Sequence, residues 1–426
     1  MPPNAPSPDT SSRAEVEAAI AAQVDGGTPT SIQRALAAVR AHLGMDVAYL
    51  SEFVDGQSVF RHVDAPGLAH LAKPGDAHSL DDVYCNHIIE GRLPQLMPDT
   101  SAEPLAVGMP ITAAVPIGSH MSIPIHRPDG EPYGMFCCLS AKPNTSLNDR
   151  DLATMRMFAD LAAEEVCREL AAAAEAERKA ERLRAVMADG SFGLVFQPIV
   201  DLETGRTGGY EALSRFAAEP YRPPDRWFAD ASEAGLGTEL EVHAILQALR
   251  ESAVLEGDVY VSVNASPATI LDGALHRAVL GRLEAVRHRL VLEVTEHEAV
   301  PDYPALHEAL APLRAAGIRL AIDDAGAGYA SLSHILQLRP DIIKLDMSLV
   351  RDVDTDGARR SLAAAMVRFA ADLDIAVVAE GVETAEERAV LLQLGAGRGQ
   401  GYHFARPKPA HEAFGVLGEH VAAARA

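Results

Sequence analysis

In the second half of this 426-residue chain, apolar runs repeatedly break off at residues that can hold a cation or a proton. Glu211 closes one run, Asn264 the next, Glu293 with Glu296 another, and the pair Asp323 and Asp324 another again. Lys344 and Asp346 follow, then Glu380, and Gln400 opens the last run. The donors are carboxylate and amide oxygens with one lysine, and neither His nor Cys is among them. Hard oxygen donors of this kind select magnesium or manganese. Two consecutive aspartates allow one carboxylate to be shared between two ions, an arrangement suited to in-line displacement at phosphorus. Any one of these carboxylates alone would serve as a helix cap or an ion-pair partner. Six run ends in succession carry the reading.

Such residues must be brought together by elements far apart in sequence. Strand-like runs cover 193–200, 206–213, 258–264, 290–294, 318–322, 342–345, 375–379 and 399–404, with helical patterns such as 306–316 and 358–373 between them. Strand and helix alternating in this way predict an eight-stranded α/β barrel of the TIM type. In a barrel the C-terminal strand ends share one mouth, so the polar residues converge there.

The first half follows a different grammar. Ile32, Leu36, Val39 and Leu43 have helical spacing, and strand-like runs follow at 47–53, 58–62, 113–116, 121–126 and 133–139. Pro128-Asp129-Gly130-Glu131-Pro132 reads as a hairpin connection. A helix starts near 146–149, with Ser146 or Asn148 as its cap, so this part is α+β: an antiparallel sheet with flanking helices. From 152 to 187 there is neither Pro nor Gly, and 171–184 is almost wholly Ala, Glu, Lys and Arg. So polar a helix either pairs with a second copy, making the protein a homodimer, or is a solvated bridge. The expected organisation is a disordered lead at 1–14, the α+β domain at 15–165, a helical linker at 166–188 and the barrel at 189–426.

A formal charge of −23 argues against nucleic acid as a partner, since such binders need a basic face. For a phosphodiester substrate it means that metal ions and a few basic residues must reverse the field locally. No 18-residue apolar run is present, so no membrane span is expected, and the Pro- and Ser-rich start does not read as a signal peptide. Cys85, Cys137, Cys138 and Cys167 show no CxxC spacing. The adjacent pair reads as small buried hydrophobes of a reducing compartment, so the cytoplasm is expected.

The segments Gln197-Pro198-Ile199-Val200, Tyr210-Glu211-Ala212-Leu213-Ser214-Arg215, Asn264-Ala265-Ser266 and Glu293-Val294-Thr295-Glu296 lead into Asp323-Asp324 and Ile343-Lys344-Leu345-Asp346. Ala379-Glu380-Gly381-Val382-Glu383 and Gln400-Gly401-Tyr402 complete the series. Together they resemble, in order, the motifs of the EAL family of cyclic di-GMP phosphodiesterases, from about residue 182 to the C-terminus. The resemblance implies hydrolysis of one phosphodiester bond of cyclic di-GMP to linear pGpG. It implies Glu211, Asn264, Glu293 and Asp323 at a first metal and Asp323 with Asp324 at a second, the ions being Mg2+ or Mn2+. Lys344 would meet the attacking water or the developing charge, Glu380 would be metal ligand or general base, and Gln400 would complete the shell. Arg215 would meet a substrate phosphate, Gln197, Leu213 and Ser266 would line the dinucleotide groove, and Glu296 would anchor the loop after the fifth strand.

That loop departs from the family's Asp-Asp-Phe-Gly-Thr-Gly and reads Asp323-Asp324-Ala325-Gly326-Ala327-Gly328. A ring that would pack the loop and a hydroxyl that could bond Glu296 are both gone. A non-catalytic cyclic di-GMP receptor is therefore the second reading, although every ligand position is filled. The first domain resembles a GAF sensor in its layout, which implies an unknown small-molecule ligand and control of the attached domain. Residues 81–99 are expected to line its pocket, and Cys85 is read as a packed cysteine, since Asn86 and not His follows it.

Overall fold

The computed structural model describes residues 30–280, 289–295, 300, 302–326 and 330–415. The chain divides into two compact units, Met1–Ala174 and Glu175–Ala426. Met1 to Arg13, Glu296, Ala327 and Gly328 lie outside the described residues.

In the first unit a six-stranded sheet has the order β3-β2-β1-β6-β5-β4. Its strands are β1 Val47–Val54, β2 Gln57–Asp64, β3 Ala77–Ser79, β4 Leu96–Met97, β5 Ser119–His126 and β6 Pro132–Ser140, and every pairing is antiparallel. The hairpin joining β5 to β6 turns at Gly130, whose φ of 90° suits glycine, and Arg127 N–H donates to the Glu131 carbonyl at 2.8 Å. Successive strand residues point to opposite faces, and β6 shows why the sequence there is continuously apolar. Cys138 joins Phe136 and Ile123 in a core closed by the helix Ser31–Leu43, while Cys137 joins Met135, Tyr49 and Phe60 in a core on the other face. Gly134 stands opposite Glu52, and a Cβ there would lie 1.7 Å from the Ser51 carbonyl oxygen.

One expected strand is a helix. Of residues 113–116 the first two end the helix Pro110–Ala114 and the last two lie in the connection after it, and the strand begins only at Ser119. Pro110 at the first helical position has its φ already set for a helix and lacks an N–H that would have no partner there.

The helix Asp149–Ala188 begins as its sequence suggests. Asn148 Oδ1 accepts from Arg150 N–H at 2.9 Å, and Asp151 returns to Asn148 N–H at 3.0 Å. Met155, Phe158, Ala162 and Val166 belong to the core of the first unit, Leu183 and Val186 to that of the second.

In the second unit eight strands close into a barrel: β7 Phe192–Asp201, β8 Thr207–Phe216, β9 Tyr260–Asn264, β10 Leu290–Thr295, β11 Arg319–Ala325, β12 Ile342–Leu345, β13 Ala376–Ala379 and β14 Arg398–Gly399. β7 is antiparallel to both neighbours, and the other pairings are parallel. The last run, expected at 399–404, is strand for only two residues. The chain then turns at Gly401, pressed so closely on Val382 that a Cβ would lie 2.1 Å from its carbonyl oxygen. The aromatic residues Tyr402 and Phe404 therefore sit in a turn, although they resemble a strand in sequence.

The barrel interior is layered. Ile199, Tyr260, Val291, Ala321, Ile342 and Val378 form one apolar layer. Two residues further along β10 to β13, on the same face, come Glu293, Asp323, Lys344 and Glu380. β7 runs the other way, so its contribution, Gln197, comes two residues before Ile199.

Outside the barrel, Trp227 on the helix Pro224–Glu233 is 1% exposed and stacks on Phe216, with ring centroids 5.0 Å apart. Arg222 lies 5.3 Å over its ring.

Candidate metal centre and substrate groove

Lys344 reaches into the barrel from β12 and is 1% exposed. Its Nζ lies 2.7 Å from Glu380, 2.9 Å from Glu293, 3.1 Å from Asp323 and 3.6 Å from Glu211. Burial alone would push the lysine pKa down, but the surrounding carboxylates overcome it and hold the pKa well above its ordinary value. Burial also raises Glu293 well above the carboxylate range. Glu380 is pushed up to about 8, first by burial, then by Asp323 and Glu211, against the pull of Lys344. Four acidic groups thus share one ammonium in a desolvated space, and the cluster is short of positive charge.

The donor geometry fits divalent cations. One oxygen each from Glu211, Glu293 and Asp323 lie within 4.8 Å of one another, and so do oxygens of Asp323, Asp324 and Glu380. Asp323 belongs to both groups. All the donors are oxygen, and Gln400 adds a buried Oε1 with no partner among the described residues.

Two adjacent strand residues should face opposite ways, yet Asp323 and Asp324 share one cluster. Asp324 has a φ of 56°, and the β11–β12 register breaks between Ile322 and Ala325. This local left-handed turn swings the second carboxylate to the side of the first. Aspartate is among the few non-glycine residues that adopt it readily. Ala325 next to it is fully buried in the barrel core.

A groove of about 520 Å3 opens beside the cluster, lined by Leu213, Arg215, Asn264, Ser266, Glu293 and Asp323 among others. Arg215 is exposed, and its guanidinium donates to the Ser214 carbonyl at 2.8 Å. Asn264 ends β9, close enough to the cluster to share this groove with Glu293 and Asp323.

Gln197 is placed differently from the expectation that it lines the groove, and Gln400, expected to complete the shell, lies against it. Both are buried inside the barrel: Gln400 Nε2 donates to Gln197 Oε1 at 3.0 Å and to the Glu211 carboxylate, and Gln197 Nε2 donates to the Ala405 carbonyl at 3.1 Å. They orient Glu211 from behind. The reversed β7 accounts for this, since it lays Gln197 beside Glu211 on β8.

Several supports escape the sequence reading. Glu241, on the helix Gly237–Glu251, accepts from Ser266 N–H at 2.8 Å and from its hydroxyl at 2.9 Å, which fixes the turn after Asn264. Nothing local in sequence signals a contact made across 25 residues. Thr384 and Glu387 form a capping box at the start of the helix Ala385–Leu394, and Glu387 also accepts from Asp352 N–H at 3.0 Å and Glu383 N–H at 2.8 Å. The Thr-x-x-Glu spacing was the available signal for it. Asp346, which also closes a strand, only caps the helix Met347–Val350.

The comparisons with known proteins agree with this geometry. An EAL domain model matches residues 180–407 and a GAF domain model residues 30–165. The chain belongs to the EAL family, with a GAF domain preceding the EAL domain.

An uncharacterized signaling protein of Caulobacter vibrioides is 33% identical over 241 residues, covering 55% of this chain and 30% of the relative. The cyclic di-GMP phosphodiesterase NbdA of Pseudomonas aeruginosa is 32% identical over 240 residues, 54% of this chain and 30% of its own length. The chain thus spans about a third of the length of the curated relatives it matches first. A solved structure of the PaMucR phosphodiesterase in complex with c-di-GMP aligns with a TM-score of 0.50 and 28% identity, covering 55% of this chain and 99% of that one.

Proposed function

We propose that this chain hydrolyses one phosphodiester bond of cyclic di-GMP to linear pGpG. The observation that carries the reading is the buried cluster in which Asp323 is common to two oxygen-donor groups around Lys344, at the edge of an open groove. The naming of NbdA as a cyclic di-GMP phosphodiesterase and the c-di-GMP complex of PaMucR support the choice of substrate.

Glu211, Asn264, Glu293 and Asp323 would hold one Mg2+ or Mn2+, and Asp323, Asp324 and Glu380 a second. When bound, such ions neutralise the diester and lower the pKa of water at the site. Arg215, on the groove, binds a substrate phosphate, while Leu213 and Ser266 line the groove that takes the dinucleotide. Gln197 and Gln400 keep Glu211 in its orientation. Lys344 stays protonated and places a fixed positive charge where the phosphorus centre gains negative charge. Glu380 has the most exposed side chain of the four paired acids, at 18%, and takes the proton of the attacking water. The water oxygen becomes bonded to phosphorus, one phosphorus–oxygen ester bond breaks, and the released sugar oxygen takes up a proton.

The same reading makes the first unit a regulator of the second, the protein a homodimer through the helix Asp149–Ala188, and the cytoplasm its location. Among the described residues no helix is long and apolar enough to cross a membrane.

The deciding experiment follows cyclic di-GMP and pGpG with the purified chain in Mg2+ or Mn2+, measuring affinity in parallel. Product is expected from the native chain, and Glu380→Ala or Glu211→Ala should lower turnover at least a thousandfold with the fold kept. Tight binding without product from the native chain would instead favour a receptor.

A further inference from the structure

The first unit contains a cavity of about 220 Å3 that the proposed reaction does not use. Its wall is mostly apolar, with Val47, Leu68, Val83, Ile111, Val115 and Ile117 among its residues. In a chain that is only 5% aromatic, Tyr49, Phe60 and Tyr84 all face it, joined by His78 and His120. Tyr49 stacks on Phe60 with centroids 4.2 Å apart, and Phe60 meets His78 at 5.4 Å. Tyr84 meets His120 edge-on at 5.1 Å. Such walls favour a flat ring over a branched aliphatic body.

The charges restrict the occupant further. Among the described residues no Lys or Arg lines the cavity, and the one carboxylate there, Asp46, is engaged by Ala141 N–H at 2.9 Å. A phosphate or carboxylate would lose its hydration and find no cation in return.

Most polar groups on the wall are already engaged. The Tyr84 hydroxyl bonds Thr112 at 2.6 Å, and Ser58 faces the Cys85 thiol at 4.0 Å. His120 differs. It is 2% exposed, and its Nδ1 has no hydrogen-bond partner among the described residues. A buried polar atom without a partner costs free energy, which a ligand group could restore. Burial also pushes this histidine down to a pKa of about 4, so near neutrality its ring presents one donor and one acceptor.

We propose that this cavity binds a neutral aromatic heterocycle of one or two rings, held by ring packing and by a hydrogen bond to His120. A dry cavity of about 150 Å3 accepts benzene, so this one suits roughly ten non-hydrogen atoms.

The test uses the full chain and indole as the probe, with binding followed by titration calorimetry at neutral pH. Indole should saturate one site per chain. Indole-3-carboxylate, with the same rings and an added anion, should bind at least tenfold more weakly. His120→Leu should weaken indole at least fivefold, and Ala72→Phe, which fills the cavity, should abolish its binding. Absence of saturable indole binding, equal affinity for the carboxylate, or an unchanged affinity in a folded His120→Leu protein would each overturn the proposal. Should His120→Leu not fold, naphthalene replaces the variant: it has the rings without the N–H, and binding as tight as indole would overturn the hydrogen bond.

Discussion

Lys344 is the one cation paired with Glu211, Glu293, Asp323 and Glu380 among the described residues. Removing it leaves buried carboxylates facing one another, which costs about 3–5 kcal/mol for a broken buried pair. Lys344→Met should therefore lower the melting temperature of the metal-free protein, and added Mn2+ should raise it by more in the variant than in the native chain. Calorimetry with and without the ion measures this, and equal shifts in the two proteins would contradict it. At this scale much of the site was legible, because a charged residue at the end of an apolar run stands out. Glu211, Glu293, Asp323, Asp324, Lys344 and Glu380 were readable in that way and do come together. Glu241 was not, since a carboxylate on an amphipathic helix resembles any solvated one. The partnership of Gln197 with Gln400 depends on one reversed strand and leaves no trace near either residue.

Strands and helices show where patterns suffice and where they fail. The β5–β6 hairpin was readable because its turn chemistry is local. Residues 113–116 failed because a short apolar run has no period of its own, and Pro110 decided for helix. Residues 399–404 failed because aromatic side chains favour strands until packing on Val382 forces a turn. Gly134 on β6 makes a sharper prediction. The Cβ of an alanine there would meet backbone at 1.7 Å, so Gly134→Ala should destabilise the first unit by about 3 kcal/mol, the upper end of what overpacking costs, read by urea titration of circular dichroism. On β5, His120 gives a pH dependence. Its folded pKa of about 4 lies below its unfolded value of about 6.5, so the unfolded chain binds more protons between them. This contribution is fully present above pH 6.5 and is lost as the pH falls toward 4, about 3 kcal/mol in all. A His120→Leu protein should lose that much less stability across the window, measured by denaturant titration at several pH values.

For the whole molecule, the two units have separate apolar cores. Leu36 belongs to one and Trp227 to the other. Leu36→Ala, at a fully buried position, should cost about 2–5 kcal/mol and move only the part of the unfolding curve that belongs to the first unit. The change from one pattern grammar to another made this division legible, since each unit has its own repeating order of elements. The sequence contains a single tryptophan, and its place gives that experiment its second channel. Trp227 is enclosed in the second unit, on the helix whose Pro224, Asp225 and Phe228 line the groove. The protein thus carries its own optical label. Excitation at the red edge of indole absorption lights the barrel alone and leaves the first unit dark, so emission should report barrel melting and groove occupancy without any dye attached.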